Sequence, residues 1–291
     1  MSVGSTALAQ NPPLTGTTLT KSVYQGRSLR ATQSIELQPG FSVSTGGFEA
    51  RVVPESSTHG SWSDPLPWIL PNTNEPFVGI HTHLLPNGKI LSWEGHNDND
   101  IGHLGAHVAE WNPADGAFRQ CDNTSSNIFC SGHAFLPDGK LFVAGGHYSD
   151  GSVWPTPQED PLMPTTPVLG YIGIRDVNTF NWFATSQPSA LPWAGVSSTM
   201  PAMTDRRWYP TVTALTNGKM LVISGQQWFG EQSDVPELWN NGTWTRLTGA
   251  DTFTLLSYPW MFAAPGGKVF WAGPEAAGRY LTTTGVGSWG Q

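Results

Sequence analysis

The chain has 291 residues, of which only 12% are charged, and its formal net charge at pH 7 is -8. This acidic balance, without a cluster of Lys or Arg, argues against a nucleic-acid partner. No apolar stretch reaches the roughly 20 residues that a membrane-spanning helix needs, so we expect no membrane span. The content of 33 Gly, 24 Pro and 14 Trp favours an all-β fold of short strands and turns.

The first residues predict an exported protein. Ala7-Leu8-Ala9 before Gln10 has the small-x-small form of a signal-peptidase site. We interpret residues 1–20 as a leader remnant or a disordered terminus and expect a secreted, extracellular location, the alternative being an ordinary disordered N-terminus. Residues 34–51 then alternate apolar and polar around Pro39-Gly40, which predicts a small β-hairpin within an N-terminal module of residues 21–55. Residues 56–75 are expected to be a linker.

A repeated strand-turn-strand pattern follows the linker. Its four copies are His83–Gly95, His133–Gly146, Val212–Gly225 and Met261–Gly273, each built around a Gly-Lys pair. The preceding Asn, Asp or Gly with that glycine is expected to give the positive φ of a two-residue hairpin turn. The apolar run after each lysine suits a strand buried on both faces.

Each hairpin precedes a second predicted strand pair with a polar turn. These pairs are Val108–Phe118, Ile174–Trp182, Glu237–Trp244 and Arg279–Trp289. The lysines at 89, 140, 219 and 268 are spaced close to the roughly 50-residue kelch period, apart from one insertion. We place the insertion in residues 148–170, whose five prolines favour a surface loop. Residues 76–291 are therefore predicted to form about four blades of a kelch-like β-propeller. Because an open arc leaves end blades uncovered, we expect a partial propeller from a longer protein.

The two cysteines allow two interpretations. Spacing alone favours a Cys121–Cys130 disulfide in an exported protein. The surrounding motifs favour another partner, because Cys130 lies ten residues before Lys140 and Tyr209 lies ten residues before Lys219. Equivalent positions on successive blades are neighbours around a propeller axis, so Cys130 and Tyr209 could touch.

The segments Phe129-Cys130-Ser131-Gly132 and Arg207-Trp208-Tyr209 resemble motifs of the galactose oxidase and glyoxal oxidase family of copper radical oxidases. The resemblance covers roughly residues 75–291 and implies a seven-bladed kelch propeller. It implies that Cys130 forms a thioether with Tyr209, and that Tyr209 is a copper ligand and the radical site. It also places a stacking indole near Trp228, with Trp208 as a rival and core packing as the alternative for both.

The resemblance implies a secreted oxidase that converts a primary alcohol or aldehyde with O2 and releases H2O2. Its substrate would be a small alcohol, aldehyde or carbohydrate, and we expect a monomer. The family also uses an axial Tyr, an adjacent His and a further His from later blades, and this chain contains no Tyr-His pair. We therefore expect the fragment to be inactive and the copper site to be complete only in the full-length protein. The alternative is a non-catalytic kelch propeller that binds carbohydrate or protein, with the Cys121–Cys130 disulfide.

The histidines at positions 81, 83, 96, 103, 107, 133 and 147 could also bind a metal. His81 and His83 share one face of a predicted strand. We interpret these side chains as hydrogen-bonding residues of blade faces and loops rather than as metal ligands.

Overall fold

A computed structural model describes residues 65–72, 74–95, 105–148, 172–186, 192–228, 230–273 and 276–291, and the backbone of six strands between Thr18 and Val52. The chain divides into two compact units, Met1–Leu66 and Pro67–Gln291. Within the described part, no helix is long and apolar enough to cross a membrane. The predicted export site and the proline-rich insertion lie outside the described residues, apart from Tyr148 of the latter.

The first unit pairs its strands in parallel. Its strands are β1 (Thr18–Leu19), β2 (Val23–Tyr24), β3 (Ser28–Ala31), β4 (Glu36–Leu37), β5 (Ser42–Val43) and β6 (Glu49–Val52). The pairs are β1 with β4, β2 with β5 and β3 with β6. The expected hairpin is therefore wrong, since β4 and β5 do not pair with each other. Alternation of apolar and polar residues has the same period of two in both arrangements, so it cannot distinguish them.

The second unit contains four antiparallel four-stranded sheets, which are the four predicted blades. Blade 1 holds β7 (His81–Leu84), β8 (Ile90–Trp93), β9 (Val108–Trp111) and β10 (Phe118–Gln120). Blade 2 holds β11 (Gly132–Phe135), β12 (Leu141–Ala144), β13 (Val177–Phe180) and β14 (Trp193–Ala194). Blade 3 holds β15 (Thr211–Ala214), β16 (Met220–Ile223), β19 (Glu237–Asn240) and β20 (Thr243–Arg246), with the small pair β17 (Gln226–Trp228) and β18 (Glu231–Gln232) inserted. Blade 4 holds β21 (Met261–Ala263), β22 (Lys268–Trp271), β23 (Arg279–Thr282) and β24 (Ser288–Gly290). The all-β, kelch-like architecture predicted from the repeats is confirmed.

The core lies between consecutive blades, and the second strand of each hairpin explains why. In β12, Leu141 and Val143 join the apolar cluster shared with blade 1, while Phe142 and Ala144 join the cluster shared with blade 3. Successive side chains of a strand point to opposite faces, so one continuous apolar run serves both neighbours. The prediction that the run after the Gly-Lys pair is buried on both faces is confirmed for β12 and β16, whereas Phe270 in β22 is only half-buried.

The hairpin turns have three loop residues in all four blades, rather than the two that were expected. Gly88 has a left-handed φ of 81°, and its N–H donates to the carbonyl of Leu85, while Lys89 donates to the Asn87 side chain. Only the glycine is left-handed, which is the pattern of a three-residue loop with a bulge. Pro86, at the first loop position, holds φ negative and favours this turn over the two-residue type.

The outer pair of blade 2 also differs from the prediction. Residues 177–180 form a single strand, and its partner β14 comes after a 3₁₀ helix at Trp182–Ser186. The polar Asn178 resembled a turn residue in the sequence. It is fully buried instead, and its side-chain oxygen accepts a hydrogen bond from the Asn123 amide at 3.1 Å.

Candidate functional site

Three residues occupy the same repeat position on successive blades. Cys130, Tyr209 and Tyr258 each lie ten residues before the repeat lysine, and each precedes the inner strand of its blade. All three have left-handed backbones, with φ of 60°, 65° and 51°. This conformation is uncommon for residues with a side chain, so its repetition shows that the blade geometry imposes it.

Backbone hydrogen bonds join these three positions. The Tyr209 N–H donates to the Cys130 carbonyl at 2.9 Å, and the Tyr258 N–H donates to the Tyr209 carbonyl at 2.8 Å. The blades approach closely here, because a Cβ added to Gly132 would lie 2.7 Å from the carbonyl oxygen of Pro210. The structure therefore brings Cys130 and Tyr209 together, as their matching repeat positions predicted.

The Cys130 thiol lies among aromatic side chains and is only 3% exposed. Burial raises its pKa to about 11, although hydrogen bonds with the side chains of Tyr209, Trp208 and Tyr258 act to lower that pKa. The sulfur is therefore a neutral thiol at pH 7 that contacts two phenols and an indole.

Tyr258 closes this cluster from blade 4. Its ring centroid is 4.9 Å from that of Tyr209, and its hydroxyl donates to the Ser131 carbonyl at 3.3 Å. Burial raises the pKa of Tyr258, with further contributions from Cys130 and Tyr209, so the phenol stays protonated and can donate. Tyr258 was not predicted from the sequence. The available signal was its spacing of ten residues from Lys268, the same as that of Cys130 and Tyr209 from their lysines.

The indole of Trp208 covers Tyr209. The two rings stack with centroids 4.0 Å apart and planes inclined by 23°. His147 lies beyond Trp208, with a centroid distance of 5.9 Å. Trp228 is half-buried in β17, where it forms a bridge with Ile172. The structure thus places Trp208 against the tyrosine, and the stacking role assigned to Trp228 stays a prediction.

A buried ion pair anchors the segment that carries Trp208 and Tyr209. The Arg207 guanidinium donates to Glu237 Oε1 at 3.0 Å and to the carbonyls of Ser224 and Val235 at 2.8 and 2.7 Å. Both charged side chains are fully buried. Glu237 also accepts the backbone N–H of Thr204 at 2.8 Å. Such a network is costly to break because either partner alone would be an uncompensated buried charge.

The two cysteines are free thiols in the structure, so the disulfide alternative is not formed. Cys121 lies in the apolar cluster between blades 1 and 2, whereas Cys130 lies among Trp208 and the two tyrosines. Burial raises the pKa of Cys121 strongly, which makes it an unreactive thiol.

The histidines that the structure describes form hydrogen bonds and ring contacts. His133 of blade 2 is hydrogen-bonded to both His81 and His83 of blade 1. His107 is buried beside Asp122, with Nδ1 3.3 Å from the carboxylate. His96 and His103 lie outside the described residues.

The described residues would supply only part of the ligands that a copper ion needs. Tyr209 offers a phenol oxygen beside the Cys130 sulfur, and phenolate is a ligand suited to copper. Over the described ranges, no group of three or more His, Cys, Asp or Glu side chains could hold a metal ion. The remaining ligands of a copper ion are therefore not supplied by a preformed cluster in this part of the chain.

The chain is similar to known oxidases in sequence and in fold. No family model matches the chain. Two galactose oxidase sequences from Gibberella zeae are each 22% identical over 237 residues, covering 75% of this chain and 30% of the relative. A solved fungal alcohol oxidase of the AA5 family, in complex with copper, superposes with a TM-score of 0.53 at 20% identity, covering 74% of this chain and 41% of that chain. Over three quarters of its length the chain is thus similar to galactose oxidase.

The chain spans about 30% of the length of the curated galactose oxidase-like relatives it matches. Copper chemistry and an oxidase activity of the whole protein are proposals for this chain.

Proposed function

We propose that this chain is part of a secreted copper radical oxidase, and that Cys130 and Tyr209 form its thioether cofactor. The observation that carries the proposal is the contact between these two side chains, at the same repeat position of adjacent blades, under the stacked indole of Trp208. Similarity to galactose oxidase and to a copper-containing alcohol oxidase supports the same reaction class.

The proposed reaction oxidises a primary alcohol or aldehyde and reduces O2 to H2O2. Removing two electrons from the substrate requires two one-electron acceptors, and copper bound at Tyr209 would supply one of them while the sulfur-substituted tyrosine supplies the other. The small substrate itself is an alcohol, an aldehyde or a carbohydrate.

The residues of this chain have defined parts in that reaction. Tyr209 would bind the metal through its phenol oxygen, and the Cys130 sulfur, as an electron-donating substituent, would make the phenol easier to oxidise. Trp208 lies on the Tyr209 ring and excludes water from one face of it. Arg207 holds the segment in place through Glu237 and two backbone carbonyls. The further copper ligands would come from residues outside the described ranges.

Formation of the thioether is an oxidation that removes two hydrogens from the protein. The Cys130 thiol and a ring carbon of Tyr209 each lose one hydrogen as a C–S bond forms. Dioxygen, in the presence of copper, takes up the two hydrogens and becomes H2O2. The free thiol beside the phenol is the precursor state that this step requires.

Mass spectrometry of the full-length protein after copper loading in air tests the proposal. We expect a mass lower by two hydrogens and a Cys130 peptide joined to a Tyr209 peptide by a bond that thiol reductants do not break. Cys121→Ser should still form this link, and Cys130→Ser should not. A protein that stays unlinked under these conditions would contradict the proposal and favour a non-catalytic kelch propeller. A peroxidase-coupled assay with primary alcohols and aldehydes then tests H2O2 release.

A further inference from the structure

Three histidines form a continuous hydrogen-bonded chain that the proposed reaction does not use. His81 and His83 lie on β7 of blade 1, and His133 lies on β11 of blade 2. His83 Nε2 faces His133 Nδ1, and His133 Nε2 is 3.2 Å from His81 Nδ1. This series of hydrogen bonds ends at Cys130, whose backbone N–H donates to His81 Nε2 at 3.0 Å. We call His81, His133 and His83 the histidine relay.

The Cys130 amide determines which nitrogen of each ring carries hydrogen. A backbone N–H can only donate, so His81 Nε2 must be unprotonated. A neutral imidazole carries one hydrogen, which in His81 is then on Nδ1 and is donated to His133 Nε2. By the same argument His133 donates from Nδ1 to His83 Nε2. All three rings are therefore in the Nδ1–H tautomer.

The surroundings keep these rings neutral. Burial lowers the pKa of His81 to about 4, with a smaller contribution from His83. Burial also lowers the pKa of His83 to about 4 and that of His133 well below its ordinary value. The aromatic rings packed around the relay are Trp93, Phe129 and Phe135, which are uncharged.

The arrangement does not suit a metal ion. A metal would need lone pairs from the three rings to converge on one point, whereas both nitrogens of His133 face another imidazole. His81 Nε2 is occupied by the Cys130 amide. The relay is therefore a hydrogen-bonded support of the Cys130 backbone.

The other blades show which hydrogen-bond acceptor the His81 side chain replaces. In blades 3 and 4, the N–H of Tyr209 or Tyr258 donates to the carbonyl of the matching residue one blade earlier. The residue of blade 1 that matches Cys130 is Gly79, ten residues before Lys89. The Cys130 N–H donates instead to the side chain of His81, two residues further on. A left-handed φ is unfavourable for a residue with a side chain, so this hydrogen bond helps to hold Cys130 in that conformation.

We propose that His81, held in one tautomer by His133, is a positioning residue that fixes the left-handed backbone of Cys130 and so aims its sulfur at Tyr209. This proposal rests on the proposed thioether for its consequence, but the relay itself is independent of copper. His133 and His83 act through His81 by orienting its ring.

The first test measures the rate of thioether formation after copper loading of the full-length protein. His81→Leu removes the acceptor, and we expect cross-linking slower by about 10-fold or more because small misplacements of reacting groups are costly. His81→Gln offers an amide oxygen to the Cys130 N–H and should restore most of the rate. The matched control is His107→Leu, which removes another buried histidine of blade 1 and should leave the rate unchanged.

Two results of that test would overturn the proposal. One is a wild-type rate in His81→Leu. The other is equal slowing in His81→Leu, His81→Gln and His107→Leu, which would indicate a general loss of stability. If wild-type protein itself forms no thioether, the proposed function fails, and a second measurement decides the relay.

That second measurement uses apo protein and does not depend on activity. Nitrogen-15 NMR should show His81, His83 and His133 protonated at Nδ1 at pH 7. Hydrogen exchange at the Cys130 amide should be slow in wild type and in His81→Gln, and faster by about 10-fold or more in His81→Leu, where the amide has lost its acceptor. An Nε2–H tautomer at any of the three rings, or unchanged protection in His81→Leu, would contradict the relay.

Discussion

Tyr209 donates its backbone N–H to the carbonyl of Cys130 at 2.9 Å, and both residues have left-handed backbones. This bond crosses from blade 3 to blade 2 at the point where the two side chains also meet. The pair is thus fixed by the junction of two blades rather than by either blade alone.

The first prediction concerns the redox state of the cysteines. Before copper is added, the denatured protein should show two reactive thiols per chain without reductant, because Cys121 and Cys130 are both free. A thiol assay in denaturant and mass spectrometry after alkylation measure this directly. Failure to label both thiols, with recovery after reduction, would instead support a Cys121–Cys130 disulfide.

The second prediction concerns Tyr258. Tyr258→Phe removes the hydroxyl that contacts Ser131 and Cys130, and we expect a loss of about 1 kcal/mol in the free energy of unfolding, as for a typical hydrogen bond. Urea unfolding measures the change. The control is Tyr280→Phe, which alters a tyrosine that packs on Phe270 in blade 4. It should lower the free energy of unfolding by less than Tyr258→Phe does.

The same variant tests which phenol forms the cross-link. In Tyr258→Phe the Cys130 peptide should still be joined to the Tyr209 peptide after copper loading. A variant that has lost the link, with Tyr209 intact, would show that Tyr258 is the partner instead.

The third prediction concerns the ion pair beneath the site. Arg207→Met leaves Glu237 as an unpaired buried charge, and we expect a loss of about 3–5 kcal/mol in the free energy of unfolding. Lys140→Ala, which breaks the exposed pair with Asp138, should cost less than about 1 kcal/mol. Both are measured by chemical denaturation.

A second substitution distinguishes charge burial from lost packing. If the unpaired carboxylate causes the loss, Arg207→Met with Glu237→Leu should recover part of it, because both charges are then absent. If the double variant has a lower free energy of unfolding than Arg207→Met alone, the loss is due to packing rather than to the unpaired carboxylate.

The fourth prediction is a fall in stability between about pH 6.5 and pH 4. The pKa of His81 and of His83 is lowered to about 4, so the unfolded chain binds protons in this range that the folded chain does not. At about pH 5 each ring should lower the free energy of unfolding by on the order of 1–2 kcal/mol relative to its value at neutral pH.

Urea unfolding at several pH values measures this dependence. His81→Gln combined with His83→Gln should make the curve shallower between pH 6.5 and pH 4, since two of the three rings with a lowered pKa are gone and only His133 remains. An unchanged pH profile in that double variant would assign the dependence to other groups.

The sequence determined the blades. The Gly-Lys repeats predicted four hairpins, and the apolar runs after them correctly indicated strands such as β12, buried on both faces. The matching repeat positions also predicted that Cys130 and Tyr209 lie close together. A periodic fold makes such inferences possible because each repeat reports the same local structure.

Only the tertiary structure decided what surrounds that pair. Parallel and antiparallel pairing share one periodicity, so the N-terminal pairs could not be assigned from alternation alone. Tyr258, Trp208 and the histidine relay converge on Cys130 from different blades or from a loop between them. Such convergence depends on how blades pack side by side, and that packing is set by long-range contacts that no local pattern in the chain encodes.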